Sequence, residues 1–87
     1  MDLKDFEYLI ALAEEGSVSK AADRLFMAQS TLSQFLQQYE SELGVKLFLR
    51  TSRGICPTRN GAVFIEHLRR IRGEYRQARS ELYDSEG

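Results

Sequence analysis

Apolar residues recur every three or four positions in stretches of the first 44 residues, and this is the spacing of one helix face. In the first stretch they are Leu3, Phe6, Leu9, Ile10 and Ala13, and Gly16 provides a stop. We predict a short second helix over residues 19–25, for which Ser17 and Ser19 offer N-caps. A turn over 26–28 and a third helix over 29–43, which ends at Gly44, follow. Two helices joined by a three-residue turn form a helix-turn-helix motif.

The segment after the third helix changes from helical spacing to short, partly β-branched runs. Two strands are predicted, over residues 45–49 and 55–57, with a basic turn between them, which together make a two-stranded wing. Thr58 is a good N-cap for a last, long helix. We therefore expect a mainly α fold. A winged helix-turn-helix, with three helices plus the wing, occupies residues 1–57, and a linker helix with a short tail occupies residues 58–87.

The third predicted helix carries an uncharged polar face opposite its apolar side. Its residues are Gln29, Ser30, Thr31, Ser33, Gln34, Gln37, Gln38 and Ser41. Glutamine can form a bidentate pair with adenine, and serine and threonine can bond to several bases or to phosphates. A helix in the major groove contacts bases mainly with its N-terminal residues. The face is therefore a candidate nucleic-acid surface, and the alternative is a polar face that only meets water.

The last helix carries an apolar seam with alternating spacings of three and four. The seam consists of Gly61, Phe64, Leu68, Ile71, Tyr75, Ala78 and Leu82. Such a heptad pattern is typical of helix pairing. A helix of about 25 residues extends ~37 Å, too far to bury its distal end against so small a domain. We expect the distal residues to pair with a second copy, and Phe64 and Leu68 to pack in part on their own domain.

Composition and charge limit the classes of function that this chain can have. The net charge is -1 and the pI about 5.8, but residues 1–44 sum to -5 and residues 45–87 to +4, so that one half is expected to meet an anionic partner. The single Cys56 and single His67 leave no metal site, and no nucleophile has a plausible base, so we expect neither an enzyme nor a cofactor. No apolar run is long enough for a bilayer, and we expect a cytoplasmic protein without a membrane partner.

Four segments, taken in this order and spacing, carry a family resemblance: GSVSKAADRL at 16–25, QSTLSQ at 29–34, ELGVKLF at 42–48 and TRNG at 58–61. Together they resemble the N-terminal domain of LysR-type transcriptional regulators. The resemblance implies a winged helix-turn-helix and linker helix that bind double-stranded promoter DNA as a homodimer, with higher oligomers possible in the full-length protein. It also implies a separate effector-binding domain, absent from this chain, through which alone a small molecule would act.

The resemblance also assigns roles to individual residues. Base or nearby phosphate contacts fall on Gln29, Ser30, Ser33 and Gln34, the minor-groove contact on Arg53, and positions near the DNA backbone on Ser17, Thr31 and Thr51. The resemblance also implies that two linker helices pair antiparallel, and the apolar seam assigns this dimerisation to Phe64, Leu68, Ile71, Tyr75, Ala78 and Leu82. The chain departs from the family at Ala28, where a capping serine is usual, at Ser30, often proline, and at Gln34, often arginine. These departures predict weaker, more salt-sensitive or more A·T-directed binding.

Two other interpretations compete with this one. A helical protein-interaction module would use the long helix as its functional surface, and the acidic first helix favours it. Another family of winged-helix DNA-binding proteins is also possible, but the Ala-Ala-x-x-Leu and Leu-Gly-Val-x-Leu-Phe fragments argue against it.

Overall fold

The predicted fold class is confirmed by the computed structural model, which describes residues 2–84. Helices α1 (Leu3–Glu15), α2 (Val18–Arg24) and α3 (Gln29–Leu43) are followed by strands β1 (Phe48–Thr51) and β2 (Gly54–Pro57) and by helix α4 (Arg59–Asp84). The two strands pair antiparallel and form the wing. The extents of 50 × 25 × 21 Å reflect α4, which projects from an otherwise small unit.

The bounds of α2 and of both strands differ from the prediction. Helix α2 begins at Val18, because the hydroxyl oxygen of Ser17 accepts a hydrogen bond from the backbone N–H of Lys20 (3.2 Å) and makes Ser17 the N-cap. Strand β1 begins at Phe48 rather than at residue 45, and only Ser52 and Arg53 separate the strands. The reason is that the N–H groups of Leu47 and Phe48 bond to a side chain of α3, described below, instead of continuing the sheet.

The core lies where the three short helices, the wing and the first turns of α4 meet. Its largest fully buried side chains are Leu9, Ile10, Leu12, Leu32, Leu47 and Ile65. Ile55 of β2 is also buried, and the backbone N–H of Ile55 donates to the carbonyl oxygen of Gly16 (3.0 Å), so the wing is fastened to the α1–α2 loop. The core extends beyond residue 57, the predicted boundary between the winged helix-turn-helix and the linker helix, because Ile65 of α4 belongs to it.

The first turns of α4 differ from the predicted seam. Leu68 is only 3% exposed and lies in the core with Ile65, which the predicted seam omitted. Gly61 is buried, and a Cβ there would overlap the backbone of Leu47, so this glycine permits the close approach of α4. Residues 61, 65 and 68 form a stripe with spacings of four and three, which is the face that an amphipathic helix turns to its own core.

Ion pairs join the acidic α1 to the basic α4. Glu7 lies 3.5 Å from Arg72 and 3.7 Å from Arg76, and Glu14 lies 3.6 Å from Arg69. The opposite charges of the two halves thus compensate each other in part within the molecule.

Candidate nucleic-acid interface

Helix α3 is half buried along its length, and this orientation presents its polar face to solvent. Leu32, Leu36 and Tyr39 are buried in the core. On the opposite side the predicted contact residues lie on the surface: Gln29, Ser30, Thr31 and Gln34 are exposed, and Ser33 is half-buried. Further along the helix Gln37, Gln38 and Ser41 are also exposed, and they line one open depression together with Thr31 and Gln34. The predicted polar face is therefore one continuous surface.

The N-terminus of α3 has no side-chain cap. Ala28 occupies the N-cap position in an extended conformation (φ -70°, ψ 141°), and no side-chain hydrogen bond caps the helix there. A serine, threonine or aspartate at an N-cap contributes about 1 kcal/mol relative to alanine. Helix α3 therefore starts without the stabilisation that Ser17 provides to α2.

The wing lies beside the polar face. A groove of about 190 Å³ is lined by Ser33 and Gln37 on the side of α3 and by Lys46 and Arg50 on the side of the wing. Arg53 lies in the two-residue turn at the wing tip and is exposed. These side chains place positive charge next to uncharged amides and hydroxyls, an arrangement suited to phosphates beside base edges.

Thr51 and Ser17, which are predicted to lie near the DNA backbone, also form hydrogen bonds within the protein. The hydroxyl oxygen of Thr51 accepts a hydrogen bond from the backbone N–H of Arg53 (3.2 Å) and so orders the wing turn. Ser17 caps α2, and it follows Gly16, the residue to which the wing is fastened. Both hydroxyl groups accept in these bonds, so each still has its own O–H to donate.

Glu40 is the polar residue that the sequence analysis missed. It is 8% exposed, and its Oε2 accepts hydrogen bonds from the N–H groups of Leu47 (2.6 Å) and Phe48 (3.1 Å). Its Oε1 lies 3.7 Å from the ammonium group of Lys46. A signal was available, because Glu40 follows Leu36 by four residues and so continues the buried side of α3.

The distal half of α4 carries exposed apolar residues. Ile71 is 46% and Tyr75 49% exposed, Ala78 is exposed and Leu82 is 67% exposed. Phe64 packs partly against the core, and Leu68 lies within it. Of the predicted dimerisation residues, the four from Ile71 onward thus form the exposed seam.

Two other kinds of site can be considered for residues 2–84, a metal site and a membrane span. Among these residues no group of three or more His, Cys, Asp or Glu could hold a metal ion. Likewise, none of the helices described is both long and apolar enough to cross a membrane.

Comparison with known proteins connects this geometry to one family. The family model described as "Bacterial regulatory helix-turn-helix protein, lysR family" matches residues 3–62. The HTH-type transcriptional regulator ShiR of Corynebacterium glutamicum (strain R) is 44% identical over 87 residues, which is 100% of this chain and 30% of ShiR. The chain spans about a quarter to a third of the length of the curated relatives it matches.

Solved structures give the same result. The CbnR_DBD–DNA complex has a TM-score of 0.87 and 33% identity, with 100% of each chain covered. The complex of BenM_DBD with benA site 1 DNA has a TM-score of 0.90 and 36% identity, covering 97% of this chain and 94% of that one. The fold, the order of the motifs and the family model all indicate the same family over most of the chain. The chain therefore belongs to the LysR family of bacterial helix-turn-helix regulatory proteins.

Proposed function

We propose that this chain binds double-stranded promoter DNA sequence-specifically, as the DNA-binding part of a LysR-type transcriptional regulator. The observation that carries the proposal is the exposed, uncharged polar face of α3 beside a basic wing. Amides and hydroxyls can donate to and accept from base edges, while cations pair with phosphates. The DNA complexes of the CbnR and BenM domains support this function.

Helix α3 enters the major groove in this proposal. Gln29 and Gln34 contact base edges, because glutamine can pair with adenine through two hydrogen bonds. Ser30, Thr31 and Ser33 contact neighbouring bases or phosphates. Gln34 stands where the family often has arginine, so one cationic contact is missing. We therefore expect A·T pairs to be more frequent in the recognised site.

The wing contacts the flanking minor groove. Arg53 at the wing tip inserts where the groove is narrow, and the negative potential of A·T tracts attracts an arginine there. Thr51 and Ser17 donate their hydroxyl hydrogens to phosphates near the wing and the start of α2. These contacts position the protein, and only those of Arg53 depend on the sequence of the flank.

The distal half of α4 pairs with the same segment of a second copy. Ile71, Tyr75, Ala78 and Leu82 supply the contact, and Phe64 adds to it at the start of the helix. An antiparallel pair of 26-residue helices, each ~39 Å long, sets the separation of two α3 helices. The two-fold symmetry of such a dimer requires an inverted repeat in the DNA. Leu68 takes no part, because it packs in the core.

The remaining properties belong to the protein as a whole. Because the relatives are three to four times longer, the effector-binding domain and any higher oligomer would involve residues outside these 87. The site of action is the bacterial cytoplasm, where promoter DNA lies. The chain acts as a regulator rather than as an enzyme, in line with its relatives.

A protein-interaction module without DNA binding is the weaker alternative. Its main support was the acidic first helix, and Glu7 and Glu14 of α1 are engaged by arginines of α4. An acidic surface that is compensated within the molecule gives no reason to expect a separate basic partner protein.

Selection of bound sequences from a random duplex pool tests the proposal. We expect the recovered duplexes to share an inverted repeat with A·T-rich flanks, because a two-fold dimer reads both halves. A recovered pool with the composition of the input would contradict sequence-specific binding. Recovery of single half-sites without a repeat would retain DNA binding but contradict the α4 dimer.

A further inference from the structure

The carboxylate of Glu40 connects α3 to the base of the wing. Its Oε2 accepts both backbone N–H groups at the point where β1 begins, from Leu47 at 2.6 Å and from Phe48 at 3.1 Å. Hydrogen bonds to an ionised acceptor are about twice as strong as neutral ones. We call residues 46–48 the wing root, since the hairpin starts there.

The other side of the wing root is held by α4. The Thr58 hydroxyl donates to the carbonyl oxygen of Lys46 (2.8 Å), and the Thr58 N–H donates to that of Leu47 (2.9 Å). Gly61 packs directly against the backbone of Leu47. The wing root is thus fixed between Glu40 on one side and the start of α4 on the other.

A buried carboxylate at this place needs a specific reason. Burying a charge is costly unless hydrogen bonds compensate it. The groove between α3 and the wing also faces the proposed DNA surface, where a negative charge opposes binding. An apolar side chain would fill the core equally well, but it would leave the N–H groups of Leu47 and Phe48 without this acceptor. The role of Glu40 is therefore to fix the backbone of the wing root through these two hydrogen bonds.

Small changes at the root are enlarged at the tip. Arg53 follows Phe48 by five residues, so the tip lies about 13–17 Å from the root at ~3.4 Å per residue. The wing is also attached near its tip, where the N–H of Ile55 donates to the carbonyl oxygen of Gly16. If that bond opens together with the root, a rotation of about 10° at the root would move the tip by about 2–3 Å, more than the tolerance of a hydrogen bond. The angle between α3 and the wing decides whether both can contact DNA at once.

We propose that Glu40 is a positioning residue, which holds the wing at the angle to α3 that lets Arg53 reach the minor groove while α3 occupies the major groove. This inference rests on the proposed function. Glu40 itself touches no DNA in it, and its effect on DNA binding passes through the wing.

A double-mutant cycle tests this coupling in the 87-residue chain. The dissociation constant is measured by fluorescence anisotropy on a selected duplex for wild type, Glu40→Gln, Arg53→Ala and the double variant. Glutamine keeps one acceptor but loses the charge. We expect Glu40→Gln to weaken binding about fivefold in the wild-type background and less than about twofold when Arg53 is already absent, because coupled residues are not additive.

Glu42→Gln is the matched control. Glu42 is exposed on the same helix, and its carboxylate accepts a hydrogen bond from the side chain of Gln38 (3.2 Å). The variant therefore removes an equal charge without touching the wing root. We expect its affinity to equal or slightly exceed that of wild type. An equal loss from Glu40→Gln in both backgrounds would overturn the positioning role, as would an equal loss from Glu42→Gln.

Amide hydrogen exchange provides a second measurement that does not depend on a folded variant. In the wild-type chain, the amides of Leu47 and Phe48 should exchange as slowly as those of the paired strands. Exchange at the rate of an open loop would overturn the inference. Failure of the wild type to bind any duplex would overturn the proposed function together with this inference, whereas tight binding with an additive cycle would overturn this inference alone.

Discussion

Phe26 has an unusual backbone and side-chain environment for an aromatic residue. Its φ of 56° is in the left-handed region, and its side chain is 96% exposed. The position ends α2, since the N–H of Met27 donates to the carbonyl oxygen of Ala22 and the N–H of Phe26 to that of Asp23. This is the site of a helix C-terminal motif at which glycine is favoured, because a Cβ costs free energy at positive φ.

Replacing this residue should stabilise the domain. We expect Phe26→Gly to raise the free energy of unfolding by about 0.5–1 kcal/mol, because relief of the left-handed strain exceeds the added entropy of the unfolded chain. Urea denaturation followed by circular dichroism measures the change. Phe26→Ala is the control, since it removes the ring but keeps the Cβ, and it should show no gain. Equal stability of the glycine and alanine variants would contradict the assignment of strain.

Gln29 is the residue at which base recognition can be tested directly. We expect Gln29→Ala to weaken binding to a selected duplex about tenfold, within the ~1–3 kcal/mol of one bidentate base contact, and to leave binding to a scrambled duplex unchanged. Competition binding measures both affinities. Gln77→Ala, on the distal part of α4, is the control and should change neither. A loss of the same size on both duplexes would assign Gln29 to the phosphate backbone instead.

At the scale of elements, α4 is one helix with two different environments. Its first turns pack Gly61, Ile65 and Leu68 on the core, and from Ile71 onward its apolar residues are exposed. An exposed apolar seam on a projecting helix gains free energy when a second helix covers it. The element therefore has one part that anchors it to the DNA-binding unit and another that we assign to pairing.

A charged residue in the exposed seam should disrupt pairing and leave the anchoring part of α4 intact. We expect Ile71→Glu to raise the dimer dissociation constant by about 100-fold, because a central apolar contact is replaced by a buried charge. Sedimentation equilibrium measures the association, and far-ultraviolet circular dichroism should show an intact fold, since the core residues are untouched. His67→Glu, at an exposed position of the same helix, is the control and should dimerise like wild type. Unchanged association of the Ile71 variant would refute the seam.

At the scale of the whole molecule, Glu14 of α1 forms ion pairs with arginines of two other helices. It lies 2.8 Å from Arg24 of α2 and 3.6 Å from Arg69 of α4. The hydrogen bond from Arg24 lowers the pKa of Glu14 below its ordinary value of 4.5, although partial burial acts in the opposite direction. A lowered folded-state pKa contributes stability above the unfolded-state pKa, and this contribution is lost as the pH falls through the folded-state value.

The pH dependence of stability should report this arrangement. We expect Glu14→Gln to be less stable than wild type at pH 7 by no more than about 1 kcal/mol, because the pair is solvent-exposed and screened. The difference should shrink as the pH falls from the ordinary pKa of 4.5 through the lowered folded-state pKa of Glu14, where the carboxylate of the native protein becomes protonated. Thermal unfolding from pH 7 to pH 3 measures it. A difference that stayed constant over this range would show that the carboxylate charge is not involved.

Features that depend on near neighbours in the chain could be inferred without coordinates. The period of apolar residues within α1 and α3 predicted the helices and their stops, and an uncharged polar side followed from the same period. The resemblance of ordered motifs indicated the family, which the comparisons confirm. Such patterns suffice because residues three or four apart on one helix must share a face.

Other features exist only because distant segments meet. Glu40 contacts the start of β1, Glu7 pairs with Arg72, and Leu68 enters the core instead of the seam. Periodicity within α4 cannot say where the helix leaves the core, since both its proximal and distal halves show apolar residues at helical spacing. The packing of α4 on α1 and the wing root settles that point, because a buried position is defined by what covers it and not by its place in a repeat.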